Sequence, residues 1–512
     1  MGCCVGRRED SVLRAGSLTC NLRASNSEPF SPLSKSVAAP LAAMFPDRTT
    51  IFALASAPGA AGIAVWRVSG TDAGAAYKAL CGGDLPTPRM MTRVHVQDAR
   101  GDIIDDGFAA WFPKPASFTG DDVLELYLHG GRAVSQAVAA ALGSVSGLRL
   151  AEPGEFTRRA VGAGKLDLTG AEGIADLVAA ETDAQRRQAR RQMGGALGTL
   201  YSTWSAEMLG ILARFEAGMD FPDEDLPTSI FAAMRPRMES LHRAMMAHLN
   251  DGHRGERIRD GIRVAIVGAP NVGKSSLMNA LAKRDVAIVS SQPGTTRDVV
   301  EVSLDLGGVP VVVADTAGLR ETDDEIEAEG IRRAKAWAGE ADLVVAVLDA
   351  EEVFASVAGA DFVASRQPYE MSTYFTEIGH GRSDRPTTVL AVNKVDLAPG
   401  IRLKKPSLEG DTGPIVFISA RTGEGIDELV RVLRSKASDL AGFSELAPIT
   451  RARHRVGVQE AADCLARALA QDEVELAGED LRHGVHALGQ ITGAVGVEEV
   501  LEVIFREFCI GK

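Results

Sequence analysis

Cysteine is scarce and unpatterned. The six thiols (Cys3, Cys4, Cys20, Cys81, Cys464 and Cys509) fall without pairwise spacing along 512 residues. That distribution argues against a disulfide framework and fits a reducing compartment. There is no CxxC and no histidine-rich cluster, so the usual sequence signs of a zinc site are missing. No apolar run reaches the length needed to cross a bilayer. Positive charge is in deficit: 55 Lys and Arg stand against 69 Asp and Glu, a net charge of −14. An acidic surface repels phosphates, which argues against broad, sequence-independent coating of nucleic acid. A local basic patch is still allowed. "QRRQARRQ", Gln185 to Gln192, carries four arginines and reads first as a solvated helix face.

What is present is an ordinary globular composition, 45% apolar and 24% charged. The length is too great for one core and implies two to four domains. Residues 1–48 stand apart. The stretch up to Met44 is rich in Ser, Ala and Arg and has no clear periodicity. It reads as an unstructured extension produced by a start codon set too far upstream, with a mitochondrial transit peptide as the alternative. Gly2 invites N-myristoylation, but Gly6 stands where Ser or Thr is required.

From Thr50 the chain reads as short strands and turns, as in "TIFALAS", "PGAAGIAVWRVSG" and "DDVLELYLHGG". A helical region is expected to start near Leu168, with Thr169 and Glu172 as a capping box and Ile174, Leu177 and Val178 on the buried face. From Gly261 apolar strands alternate with helices, which predicts a mostly parallel α/β sheet. A hairpin around Leu306–Val309 is its one antiparallel element. Residues 351–386 look like a long surface insertion. After Leu440 the chain is helical again. Val497, Val500, Leu501, Ile504, Phe505 and Phe508 share one helical stripe. The expected division is 49–165, then a helical domain from 166–260 and 440–512, interrupted by an α/β domain at 261–439.

The α/β block carries the chemistry. "GAPNVGKSS", Gly268 to Ser276, follows the strand "RVAIV" and satisfies the phosphate-loop pattern in strand–loop–helix context. Asn271, Val272, Gly273, Lys274, Ser275 and Ser276 would surround the phosphates, with backbone N–H groups turned inward. Ser275 would sit on Mg²⁺. "DTAG" (Asp315, Thr316, Ala317, Gly318) ends another strand, where a carboxylate can hold the metal's water. "NKVD" (Asn393, Lys394, Val395, Asp396) places an acid able to accept from both N1–H and the exocyclic amine of guanine. "SAR" (Ser419, Ala420, Arg421) ends the next strand and would meet the base edge. "GTTRD", Gly294 to Asp298, lies between the phosphate loop and "DTAG", where switch I belongs, and Thr296 can supply a second Mg²⁺ ligand. Ser290, Ser291, Gln292, Pro293, Gly294, Thr295 and Thr296 are counted with the nucleotide site. Five signals in order, each at a strand end, specify a GTPase domain. Leu319 occupies the position where Ras-like enzymes carry a water-orienting glutamine. Hydrolysis therefore needs another polar group and another positive charge, and the acidic run "ETDDEIEAEG" offers candidates.

From Thr50 to Lys512 the chain resembles the MnmE (TrmE) family of tRNA modification GTPases. The resemblance rests on "APGAAGIAVWRVSG", "FTGDDVLELYLHGG", "PGEFTRRAVGAGKLDLTGAEGIADL", the GTPase set and the terminal "CIGK". It implies a multidomain α/β fold: an N-terminal α+β folate-binding domain, an all-α helical domain and an inserted Ras-like P-loop GTPase domain. It further implies a homodimer formed through the N-terminal domain, which binds 5-formyltetrahydrofolate or a related folate. By motif, Arg67, Glu125, Lys165 and Lys512 match the folate contacts. Asn271, Ser290, Gln292 and Thr295 match K⁺ ligands, and such an ion would supply the charge that Leu319 leaves wanting. Glu327 matches the water-orienting acid, and Arg297 and Cys509 complete the catalytic set. The implied reaction adds a carboxymethylaminomethyl group to C5 of the wobble uridine of certain tRNAs, with GTP, Mg²⁺, an FAD-dependent partner and no membrane. A cytoplasmic location is expected, or the mitochondrial matrix if residues 1–43 are a transit peptide. The longer insertion at 351–386 departs from the family pattern. A ribosome-assembly GTPase of the Era or EngA kind is the alternative, but neither a GxxG loop in a βα context nor a basic C-terminal domain is found.

Cys509 keeps several readings. It can cap the last amphipathic helix, end a prenylation box that Gly511 and Lys512 fit poorly, or, as the resemblance favours, face the folate site as a functional thiol.

Overall fold

The computed structural model describes residues 49–220, 227–269, 271–284, 286–288, 301–315, 339–351, 353, 387–397, 413–442, 447–471, 473–495, 504–505, 508 and 511. The 351–386 insertion, save Glu351 and Val353, lies outside them.

The first unit is a six-stranded sheet with helices on one face. Its elements are β1 (Thr50–Leu54), β2 (Ala61–Ser69), α1 (Ala73–Cys81), β3 (Thr92–Gln97), β4 (Ile103–Phe112), β5 (Val123–Gly130), α2 (Arg132–Ser144) and β6 (Leu148–Leu150). The order is β3-β4-β5-β2-β1-β6, and only β1 and β6 pair in parallel. Alternation decides which side each residue takes. Ala64, Trp66 and Val68 of β2 and Leu124, Leu126 and Leu128 of β5 are buried, and most of them pack against α1 and α2. Arg67, Glu125 and Tyr127 therefore point to the opposite face.

A short helix α3 (Glu155–Gly162) leads into a helical frame: α4 (Leu168–Ala179), α5 (Asp183–Met193), α6 (Ala196–Asp220), α7 (Pro227–Leu249) and the connecting helix α8 (Arg254–Asp260). The frame resumes after the α/β unit with α11 (Ala452–Ala470) and α12 (Val474–Thr492). Tyr201, Met208, Ile211 and Phe215 of α6 meet Val458, Leu465, Leu481 and Leu488 of those returning helices in one core. The intervening unit contains β7 (Ile262–Val267), α9 (Lys274–Ala282), β8 (Glu301–Asp305), β9 (Pro310–Asp315), β10 (Leu343–Asp349), β11 (Thr387–Asn393), β12 (Ile415–Phe417) and α10 (Ile426–Ala441). Its strand order is β12-β11-β10-β7-β9-β8. Among the described residues the β8–β9 hairpin is the only antiparallel strand pair of this sheet. The near-continuous apolar runs of β7, β10 and β11 follow from burial on both faces of a parallel sheet.

Three local expectations change. The cap of α4 is Asp167, whose carboxylate accepts from the Gly170 amide at 2.7 Å. Thr169 is inside the first turn, with its hydroxyl also donated to Asp167. Glu172 is thereby released for a different task. It is fully buried and accepts from Arg453 Nε at 2.6 Å, with its other oxygen 2.8 Å from His454 Nε2. Finally, Val178 is 49% exposed, and the packed side of α4 runs through Leu168, Ala171 and the expected Ile174. Of the terminal stripe, Ile504, Phe505 and Phe508 are buried against those two residues and Val161, while Val497, Val500 and Leu501 lie outside the described residues.

Candidate functional site

The carboxyl ends of β7, β10 and β11 and the loop after β12 converge on one edge of the second sheet. Strand β7 delivers the chain to the phosphate loop, and α9 leaves it at Lys274. Gly273 caps that helix with φ 100°, and a Cβ there would collide with the Asn393 side chain. Only glycine meets both demands. Asn271, at φ 65°, is also left-handed, which asparagine tolerates better than most residues. Lys274 is 9% exposed, and its ammonium donates to the carbonyls of Gly268 and Ala269, both at 2.9 Å. The cation is thus held across the concave side of the loop, at the positive end of α9.

The base motif is tied to this loop directly. Asn393 Nδ2 donates to the Val272 carbonyl at 2.8 Å, and its Oδ1 accepts from the Ala420 amide at 2.9 Å. One buried amide therefore joins the phosphate loop, the β11 end and the β12 loop. Asp396 accepts from Ser419 Oγ at 2.6 Å through Oδ1 and from Arg421 Nη2 at 2.6 Å through Oδ2. The Ser419 hydrogen bond, and then Arg421, hold its carboxyl below the usual carboxylate range. It is an ionised acceptor at neutral pH, as a donor pair on guanine requires. Lys394 Nζ lies 2.6 Å from Asp349 Oδ2. Asp349 is an addition to the sequence reading. Its signal was available, since "LVVAVLD" ends in an acid that stands beside Asn393 in the parallel register.

Asp315 closes β9 beside Ile266 of β7, and Ser275 and Ser276 follow Lys274 in α9. Ser290, Ser291, Gln292, Pro293, Gly294, Thr295, Thr296, Arg297, Thr316, Ala317, Gly318 and Glu327 lie outside the described residues.

A second cluster forms on the first sheet. Arg67 and Glu125 are cross-strand partners, and Arg67 Nε donates to Glu125 Oε1 at 2.9 Å. Tyr127 OH donates to Glu125 Oε2 at 2.6 Å. Burial, and then Glu125, push the Tyr127 phenol up to about 12. The Arg67 guanidinium stacks 5.6 Å from the Phe118 ring centre and 5.7 Å from that of Phe156. Lys165 is exposed and donates to the Pro115 carbonyl at 2.6 Å, on the loop that carries Phe118. Phe118 and Phe156 could not be read from spacing, because one comes from a loop and the other from α3, and only the packed fold brings them to Arg67.

The carboxyl-terminal tail reaches this unit. Gly511 is buried, with φ 100°, and a Cβ on it would lie 2.9 Å from the Leu54 carbonyl carbon and 3.0 Å from Ala55 Cα. Leu54 is one position beyond Ala53, the β1 partner of Arg67. Cys509 and Lys512 lie outside the described residues. Among the described residues no helix is long and apolar enough to cross a membrane.

The family model for the GTP-binding protein TrmE N-terminus matches residues 50–165, and that for the MnmE helical domain matches residues 168–509. The chain belongs to the MnmE family of tRNA modification GTPases. A tRNA modification GTPase MnmE from Paramagnetospirillum magneticum is 50% identical over 466 residues, covering 90% of this chain and 99% of the relative. One from Parvibaculum lavamentivorans is 50% identical over 470 residues, covering 90% and 100%. One from Rhodospirillum rubrum is 49% identical over 476 residues, covering 90% and 99%. Like other members of the MnmE family, the chain is a GTP-hydrolysing enzyme of tRNA modification.

Proposed function

We propose that this GTPase works with an FAD-containing partner to place a carboxymethylaminomethyl group on C5 of the wobble uridine in certain tRNAs, the one-carbon unit coming from a tetrahydrofolate. The observation that carries this reading is the seat of Gly511 on Leu54, next to the strand position of Arg67. It ties the carboxyl-terminal tail at Gly511 to the unit that carries Arg67 and Glu125, which supports a role for Cys509 and Lys512 toward a folate there. A pterin presents ring donors to the Glu125 carboxylate and a face to Phe118 or Phe156. Arg67, paired with Glu125, fixes that carboxylate, and the glutamate tail calls for the cations Lys165 and Lys512.

In the nucleotide site, Lys274 and the N–H groups of Asn271–Ser276 bind phosphate, and Asp396 with the Ser419–Arg421 loop selects guanine. Ser275 and Thr296 would hold Mg²⁺, which supplies charge neutralisation between the phosphates. Asn271, Ser290, Gln292 and Thr295 would hold K⁺. Glu327 orients the attacking water, with Arg297 beside it. Closure of two such units in a homodimer then cycles with GTP and repositions the folate-bearing units. The working division is 49–165, 166–260 with 440–512, and 261–439. The location is the cytoplasm, or the mitochondrial matrix if residues 1–43 act as a transit peptide.

Nucleoside analysis of bulk tRNA tests this reading. A strain lacking the protein loses the C5-modified wobble uridines, the wild-type chain restores them, and Cys509→Ser restores GTP turnover alone. Unchanged nucleosides in the deletion strain would refute it.

A further inference from the structure

The arginine-rich stretch Gln185–Gln192 forms most of α5, and its glutamines and arginines have separate tasks. Gln185 Nε2 donates to the Arg259 carbonyl at 3.0 Å, and Gln188 Nε2 donates to that of Gly255 at 2.8 Å. Both strap the connecting helix α8 to the frame. The Ala184 amide donates to the Gly308 carbonyl at 2.9 Å, in the turn of the β8–β9 hairpin. The frame thus grips the GTPase unit at its entry helix and at one hairpin.

Between these ties lies a cavity of about 290 Å³. Its walls come from α5, α8, the β8–β9 turn, the end of α10 and the segment Ala447–Thr450 that returns to the frame. Leu197, Gln192 and Thr450 are buried and line it, while Arg187, Arg191 and Arg254 line its exposed rim. Among the described residues no Asp or Glu lines it. Arg187 is paired with Asp183 at 2.5 Å. Arg254 makes no ion pair among the described residues. Gln192 is 2% exposed and donates Nε2 to the Thr169 carbonyl at 2.9 Å. Its Oε1 has no hydrogen-bond partner among the described residues. A buried acceptor left unpaired carries its full desolvation cost, so a donor brought there is favoured.

A cationic rim, an apolar wall and one unpaired acceptor in the floor define a ligand by complementarity. We propose that this cavity binds a small planar heteroaromatic carboxylate with a ring N–H at the end opposite its charge, and that the bound molecule clamps α8 against the frame. The carboxylate meets the rim arginines, whose planar forks suit it. The ring fills the apolar space beside Leu197, and its N–H reaches Gln192 Oε1. Because the walls belong to the frame, the connecting helix and the GTPase unit together, an occupied cavity favours this relative placement over others.

Indole-5-carboxylate is the probe, with naphthalene-2-carboxylate as its counterpart of similar shape lacking the N–H. Calorimetry on the full chain is expected to give about ten-fold tighter binding of the indole. Gln192→Met abolishes that preference, and Arg254→Ala weakens both probes by about ten-fold. Amide exchange within α8 slows in the wild-type chain when the indole is bound. Arg254 is exposed, so its variant folds even if Gln192→Met does not. Absent binding, equal affinity in wild type and Arg254→Ala, or unchanged exchange in α8 would each overturn the proposal.

Discussion

Gly511 rests against Leu54, so close that a Cβ would sit 2.9 Å from the Leu54 carbonyl carbon. The residue second from the carboxyl end therefore meets the end of β1 in the first unit, more than 450 positions earlier in sequence. A positive φ of 100° adds backbone strain for any other residue. Gly511→Val is expected to unseat the tail and abolish wobble-uridine modification in a complementation assay. GTP turnover by the same variant stays within about two-fold of wild type, since the change is remote from Lys274 and Asp396. Full modification by Gly511→Val would separate the tail from the chemistry.

Under the proposed function, Asp396 is the residue that selects the base. Its two oxygens, oriented by Ser419 and Arg421, are proposed to accept from two guanine donors. Asp396→Asn replaces one acceptor by a donor and is expected to weaken GTP by about 100-fold, the scale of two charge-assisted hydrogen bonds. The same variant gains affinity for xanthosine triphosphate, whose C2 oxygen accepts where guanine donates. Competition binding with both nucleotides reads the exchange directly. Retained GTP preference would remove Asp396 from base recognition.

How much of this was legible follows from how local each feature is. The phosphate loop, "NKVD" and "SAR" sit at strand ends where neighbours in sequence do the positioning, so spacing alone located them. The hairpin at Leu306–Val309 and the parallel sheet follow from glycines and apolar runs in the same way. Glu172 is the opposite case. Its partners Arg453 and His454 lie across the whole inserted unit, and no periodicity announces them. Asp167 displaced Thr169 as the α4 cap for a related reason. The carboxylate is pressed against Gly198 of α6, a contact that only the packed frame creates. Arg67 and Glu125 were found through the family pattern, whereas Phe118 and Phe156 required the fold.

His248 gives the frame an acid-sensitive joint. It is 3% exposed, lies 3.2 Å from Tyr201 OH through Nε2 and meets the Trp204 ring edge-on. Burial pushes its imidazole down from 6.5 to about 4. The folded chain then binds fewer protons than the unfolded chain between these values, so this stability is present above pH 6.5 and lost as pH falls toward 4. The shift corresponds to about 3 kcal/mol at the acid end. His248→Phe is expected to flatten the fall in melting temperature between pH 6.5 and 4, compared with wild type. Parallel profiles for the two proteins would show that His248 contributes no such dependence.

The most direct test of the account is calorimetric binding of 5-formyltetrahydrofolate to the full-length chain, to Arg67→Ala and to Gly511→Val, with GTP binding measured on the same samples. The account predicts saturable folate binding by wild type, at least about ten-fold weaker binding in both variants, and GTP affinity unchanged throughout. Folate binding of equal strength in all three proteins would contradict it.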